Sequence, residues 1–254
     1  MPGAEPFGVL ITRPEPEASR WAAALEGKGY RAVVSPLLRY ARVERLGAAA
    51  FSDVGSVALT SAAAAWALAE DGAPRLPTYA VGDKTAAAAR AAGLGPVRSA
   101  GGDAEALVDL IAAEPHTGPL LIARGRETAV DLPALLKARG VSAEIREAVV
   151  YAAEAVPAFS EEARAALAAG EIAAIPLLSA RTAETCAAAL WDARLPNAAA
   201  AGLSALCLSR AIARRLRDRL GDLAIGEIEW VETPTLAALD ALLEDRFPPA
   251  KRNC

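Results

Sequence analysis

The sequence is poor in aromatic residues, histidine and cysteine, and each shortage excludes a class of protein. Phe, Trp and Tyr make up 5% of 254 residues, while hydrophobic residues, many of them alanine, reach 54%. Its cores must be built from Val, Ile, Leu and Ala. Such cores suit parallel strands packed under helices better than an aromatic-rich β-sandwich. The apolar content argues against disorder, and the length allows two domains of ordinary size. The single histidine, His116, removes any multi-histidine metal site. In Glu-Pro-His-Thr-Gly it reads as a solvated loop residue before a strand. Cys186, Cys207 and Cys254 are odd in number, far apart and without CxxC spacing, which argues against zinc or thioredoxin-like chemistry. Walker A, GxGxxG and GxSxG turns are also missing.

No apolar run reaches the roughly 18 residues of a membrane span. The opening residues lack the basic and apolar regions of a signal peptide. The expected location is therefore the cytoplasm. A net charge of −4 does not suit a nucleic-acid binder. Net charge still leaves room for a local basic cleft.

Short apolar runs alternate with alanine-rich helical stretches. Strands are predicted at Val9–Thr12, Ala32–Ser35, Val57–Thr60, Thr78–Val81, Val97–Ser99, Leu120–Ala123, Ala143–Ile145, Ala173–Leu178, Ala205–Leu208 and Glu229–Val231. Most are followed by a helix-period segment, the signature of βα units in parallel sheets. Ser160 is placed to cap the helix that stops at Gly170, and Thr233 to cap one with Pro234 in its first turn. Gly29 and Gly140 are placed to end their helices in a left-handed conformation.

The chain also repeats itself. Val9–Arg13 (VLITR) resembles Leu120–Arg124 (LLIAR), and residues 9–40 align with 120–151 without a gap. Leu25 then meets Leu136, Gly29 meets Gly140, and Tyr40 meets Tyr151. Looser echoes link Leu59–Ser61 with Leu177–Ser179, Ala80–Gly82 with Cys207–Ser209, and Ala104–Ile111 with Leu236–Leu243. These read as two copies of a five-stranded doubly wound domain. One arrangement sets the copies in tandem. In the other, the first βαβ unit completes its sheet with strands after residue 155, and the middle of the chain forms the second domain. The extended stretches Pro36–Val43 and Arg146–Pro157 favour the second, as two passages of a connecting ribbon.

Several of these segments, in order, resemble the uroporphyrinogen-III synthase family. They are Thr12-Arg13-Pro14 after the first strand, Val33–Leu37, Leu59-Thr60-Ser61, Tyr79–Gly82 with Thr85, Gly102–Leu107, Val149-Val150-Tyr151, and Pro234-Thr235-Leu236 with Leu239. The resemblance covers nearly the whole chain. It implies an α/β fold of two doubly wound, flavodoxin-like parallel-sheet domains joined by a two-stranded ribbon, with an interdomain cleft. The corresponding boundaries are residues 1–38 with 155–254 for the first domain, 44–148 for the second, and 36–43 with 146–157 for the ribbon. Two departures stand out. The usual Ile-Gly-Pro-Thr-Thr turn appears as Leu208-Ser209-Arg210-Ala211-Ile212, and a basic residue found in some members is Ala63 here.

The resemblance further implies a cofactor-independent lyase that cyclises hydroxymethylbilane to uroporphyrinogen III. The substrate is a linear tetrapyrrole with eight carboxylates. It loses water to give an azafulvene, and the terminal ring is inverted through a spiro intermediate. The unaided chain also cyclises, without inversion, so the protein's main task is to orient the reacting ring. An acid that helps hydroxide leave would add to this. Tyr151 is the candidate acid, because a phenol is an O–H donor and the implied fold places it on the ribbon. Thr60, Ser61, Gly82, Thr85, Ser179 and Ser209 sit where strands turn into helices. Backbone N–H groups and hydroxyls there either cap the helix or hold carboxylates. Thr12 belongs to the same set, and Arg13, Arg124 and Arg181 follow strand ends with charge suited to carboxylates. Arg214, Arg215, Arg217 and Arg219 read instead as a solvated helix face.

The expected partners are the tetrapyrrole and, transiently, the upstream deaminase, with no nucleic acid, membrane or metal. Nothing demands more than a monomer. A different class is a non-catalytic two-domain sensor that binds a small anion. Such a protein would be expected to carry an output module, such as a basic helix-turn-helix.

Overall fold

The computed structural model describes residues 6–128 and 130–249. Along the chain run β1 (Gly8–Ile11), α1 (Glu17–Lys28), β2 (Arg31–Val34), β3 (Leu38–Arg42), β4 (Ser56–Leu59), α2 (Ala62–Glu70), β5 (Thr78–Ala80), α3 (Asp83–Ala91) and β6 (Val97–Ser99). There follow α4 (Ala104–Ala112), β7 (Leu120–Gly125), α5 (Leu132–Ala138), β8 (Ile145–Ala155), α6 (Glu161–Ala168), β9 (Ile172–Leu177) and α7 (Ala180–Ala193). The last elements are a short α8 (Asn197–Ala201), β10 (Ser204–Cys207), α9 (Arg210–Leu220), β11 (Ile228–Trp230) and α10 (Leu236–Arg246). The chain divides into two compact units, Met1–Arg39 with Glu154–Cys254 (unit 1) and Tyr40–Ala153 (unit 2).

In unit 1 the sheet order is β11-β10-β9-β1-β2, with every neighbouring pair parallel. Counted within the unit, this is the 2-1-3-4-5 order of flavodoxin-like sheets. Side chains of β1 alternate between the two faces, as a strand dictates. Val9 and Ile11 pack with Trp21 and Leu25 of α1 and Leu239 and Leu243 of α10. Leu10 faces the other way and joins the cluster of Leu177, Ala183, Leu190 and Leu216. Full burial of one such side chain contributes roughly 1.5–3 kcal/mol. α1 stops at Gly29, whose φ of 100° is open to a residue without Cβ. Gly140 does the same after α5, at φ 82°.

In unit 2 the order is β3-β8-β7-β4-β5-β6, and the strands from β8 to β6 are parallel. Leu59, Ala64, Leu68 and Ala123 fill one face, and Ala58, Leu107, Ile111, Ile122 and Leu136 fill the other. The orders β2-β1-β9-β10-β11 and β8-β7-β4-β5-β6 are the same succession, so β1 answers to β7 and β9 to β4. Unit 1 opens with the repeated βαβ piece, whereas unit 2 ends with it. The chain leaves unit 1 within β3 and returns within β8, and these strands are hydrogen-bonded neighbours. In unit 2 the Val43 N–H donates to the Val150 carbonyl at 3.2 Å. In unit 1 the Val156 N–H donates to the Leu37 carbonyl at 2.9 Å.

Some local expectations change. The last helix is capped by Thr235, whose hydroxyl accepts from the Ala238 N–H at 3.2 Å, and not by Thr233. Pro234 therefore precedes the cap instead of occupying the first turn. The strand expected at Ala143–Ile145 begins at Ile145 and runs to Ala155, because Ala148, Val150 and Ala152 alternate inward along it. His116 lies in a loop, but it is not solvated: both ring nitrogens are buried and lack a hydrogen-bond partner among the described residues. The arginines of α9 form the expected exposed face, with surface ion pairs and a ring contact laid over it. Arg214 is exposed, Arg215 and Arg219 reach Glu184 at 3.1 and 3.7 Å, and Arg217 lies over the Trp230 ring. Among the described residues, no helix is long and apolar enough to cross a membrane, and no cluster of His, Cys, Asp or Glu is placed to hold a metal ion.

Candidate active site

Unit 2 contains a cavity of about 620 Å³ at the carboxyl ends of β4 and β7. This is where an open α/β sheet binds ligands, because the helices that follow the two strands leave to opposite faces. Its walls are Thr60, Val81, Ala104, Ile122, Arg124, Gly125, residues 127–128 and 130–133, Glu147 and Tyr151. The wall mixes apolar surface with carboxylates, so it suits a flat apolar framework carrying N–H donors.

Tyr151 stands on β8 beside the end of β7, with its ring over Gly125. A Cβ on Gly125 would come within 2.7 Å of Tyr151 Cζ and 2.9 Å of its hydroxyl oxygen. The ring also meets Tyr40 edge-to-face, with centroids 5.3 Å apart and planes at 79°. Tyr40, its partner in the sequence repeat, lies on β3, a strand without a counterpart in the sheet of unit 1. The two tyrosines are thus neighbours and not equivalents.

Arg124, the last residue but one of β7, donates through Nε to Glu147 Oε1 and through Nη1 to the carbonyls of Gly125 (3.1 Å) and Arg126 (3.4 Å). Its Nη2 has no hydrogen-bond partner among the described residues. Asp131 Oδ1 accepts from the Ala134 N–H at 3.0 Å and caps α5.

Of the sequence-predicted residues in this unit, Thr60, Arg124 and Tyr151 come together on the cavity wall. Ser61 caps α2 by accepting from the Ala64 N–H at 3.2 Å. Gly82 occupies the cap position of α3, and Thr85 is buried within that helix. None of these three lines the cavity. Glu127, Thr128, Asp131 and Glu147 do line it, and the sequence reading missed them. The available signal was Asp131-Leu132-Pro133, a capping carboxylate followed by a first-turn proline.

In unit 1 the predicted residues follow the carboxyl ends of β1, β9 and β10. Thr12 is buried, and its hydroxyl has no hydrogen-bond partner among the described residues. Arg13 lies over the Trp21 ring at 5.9 Å. Ser179 accepts from the Thr182 N–H at 3.1 Å and caps α7, with Arg181 in its first turn. Ser209 caps α9 through the Ile212 N–H at 3.4 Å. Each of these two serine hydroxyls already acts as a cap, which does not prevent it from meeting a ligand.

Residues 19–226 match the family model described as uroporphyrinogen-III synthase HemD. No curated protein matches the chain. Among solved structures, uroporphyrinogen III synthase from the extremely thermophilic bacterium Thermus thermophilus is similar at 19% identity. A mutant selenomethionine form covers 94% of this chain and 98% of that one, with a TM-score of 0.48. A wild-type form covers 93% and 96%, with a TM-score of 0.38.

Proposed function

Since the chain belongs to the uroporphyrinogen-III synthase family of tetrapyrrole biosynthesis, we propose that it closes hydroxymethylbilane to uroporphyrinogen III, with the cavity of unit 2 receiving part of the substrate. The family match across residues 19–226 carries this reading. The cavity adds a phenol on a wall otherwise suited to pyrrole rings.

The Tyr151 hydroxyl is the proposed acid. It gives its proton to the departing hydroxyl group, water leaves, and the substrate becomes an azafulvene. The terminal pyrrole attacks through its substituted carbon, and the spiro intermediate fragments and re-closes with that ring inverted. The pyrrole proton released at the end restores the phenol. Loss of water makes the enzyme a lyase, and the electrophile arises from the substrate itself, so no cofactor is called for. Glu127, Asp131 and Glu147 line the same wall and offer acceptors to pyrrole N–H groups.

Thr60 and Arg124 Nη2 are proposed to hold substrate in this unit, with Ser61, Gly82 and Thr85 setting the turns around them. Thr12, Arg13, Ser179, Arg181 and Ser209 are proposed to do so in unit 1. A cytoplasmic monomer that takes its unstable substrate from the upstream deaminase completes the reading.

The test is to supply freshly generated hydroxymethylbilane, oxidise the products and separate the uroporphyrin isomers. A dominant type III isomer is expected. Only type I, formed at the spontaneous rate by folded protein, would overturn the reading and favour an anion sensor.

A further inference from the structure

Three adjacent strands of unit 1, in the order β10-β9-β1, each lead into an arginine. Arg13 comes two residues after β1, Arg181 four after β9, and Arg210 three after β10. The strands are parallel, so all three positions lie at one edge of the sheet. Neighbouring strands are spaced about 4.8 Å apart, which sets the outer two strand ends roughly 10 Å from each other.

Two of these cations are held by aromatic rings and not by carboxylates. Arg13 lies over Trp21 at 5.9 Å, and Arg210 lies over Trp230 at 5.8 Å. Neither has an ion-pair partner among the described residues. Arg13 Nε is buried and lacks a hydrogen-bond partner among the described residues. Trp230 also carries Arg217 at 5.4 Å, which adds a second positive charge beside Arg210. An aromatic face orients a guanidinium without neutralising it and leaves the fork free for an anion. The matching positions of unit 2 are different. After β4 come Ala62 and Ala63, after β5 come Asp83 and Lys84, and the arginine of β7 is paired with Glu147.

We infer that this edge of unit 1 is a polycarboxylate-binding row, in which Arg13 and Arg210 engage acidic side chains of the ligand. The inference rests on the proposed substrate being a polycarboxylated tetrapyrrole, and it adds Arg210 as a specificity-determining residue. A row of separated cations recognises several carboxylates at known spacing, which one arginine cannot do.

The probe is uroporphyrin III, with eight carboxylates, whose binding to the whole protein is followed by its fluorescence. Arg13→Gln and Arg210→Gln are each expected to weaken binding about fivefold at low salt and to flatten its salt dependence. Arg210→Lys should recover part of the loss, and Arg13→Lys serves where glutamine disturbs packing against Trp21. Arg164→Gln makes the same charge change on α6 and should leave the affinity unchanged. In turnover, the row variants should raise KM more than they lower kcat. The row is overturned if Arg13→Gln and Arg210→Gln bind no more weakly than Arg164→Gln. Type III product from the wild type with unaltered variant binding sinks the row alone. Arginine-dependent binding without type III product sinks the proposed reaction and leaves the row standing.

Discussion

The ring of Tyr151 occupies the space that a side chain at Gly125 would fill: a Cβ there would lie 2.7 Å from the ring carbon bearing the hydroxyl. The glycine is therefore required by its neighbour and not by its own backbone. Gly125→Ala must push the phenol off the cavity wall, at a stability cost of about 1–3 kcal/mol. The expected outcome is a larger loss of type III formation than of folded protein, read by isomer separation beside urea unfolding.

Tyr151→Phe keeps the ring over Gly125 and removes only the donor. Positioned acids contribute roughly 10²–10⁴-fold, and the substrate cyclises unaided, so a loss near 10²-fold is expected. Full activity in this variant would remove Tyr151 from the chemistry.

Asp71 ends α2 with its side chain 2% exposed. It accepts from Arg42 Nη2 at 2.5 Å and from the Leu46 N–H at 3.0 Å, tying the segment after β3 to the helix. Asp71→Ala removes the close carboxylate from a guanidinium that keeps only Glu70 at 3.9 Å and the Glu44 carbonyl at 3.0 Å, and should cost about 1–3 kcal/mol. Urea denaturation reads this directly, and Asp71→Asn should cost less, because its amide oxygen still serves Leu46.

Arg146 grips Asp53 through two bonds of 2.7 and 2.8 Å and Glu144 through two of 2.7 and 3.2 Å. The hydrogen bonds from Arg146 hold both carboxyls below their ordinary range. A depressed folded-state value means that the contribution is present at neutral pH and is lost as pH falls through the folded value. NMR titration of the wild type should show both midpoints depressed, and Arg146→Gln should return them towards ordinary values. All three groups are exposed, so the effect on stability is expected to be small.

Burial pushes the Cys186 and Cys207 thiols up to about 12. Neither should react with a thiol reagent at about pH 8, where an ordinary cysteine is partly thiolate. In a Cys254→Ser background, labelling should appear only on unfolding. The folded state favours the neutral thiols, so their contribution to stability is complete below the unfolded value and declines as pH rises beyond it.

The sequence showed β1 and β7 as copies, because strand, helix and left-handed glycine recur there in step. It showed most strand ends too, since apolar runs stop where a hydroxyl or an arginine begins. The rest of the repeat was faint for a topological reason. The βαβ piece comes first in one unit and last in the other, so no single register spans both. The part of the cavity wall formed by Glu127, Thr128 and Asp131 was illegible for a chemical reason, because polar residues in a loop carry no periodicity. Tyr40 misled: its alignment with Tyr151 suggested equivalence, whereas pairing of β3 with β8 sets the two rings edge to face. Thr233 and Thr235 flank the same proline, and only the backbone decides which one caps.

The discontinuity of unit 1 also fixes an order of manufacture. Once residue 153 has left the ribosome, every strand of unit 2 exists, and its sheet can close from a single stretch of chain. β1 and β2 have by then waited through that whole synthesis without β9, to which Gly8 and Val9 pair at Ile172 and Ala174. During the interval β1 presents an open, wholly apolar edge, which is where a nascent chain is most prone to associate wrongly. The earlier strands of unit 1 thus wait for partners that are made only after unit 2.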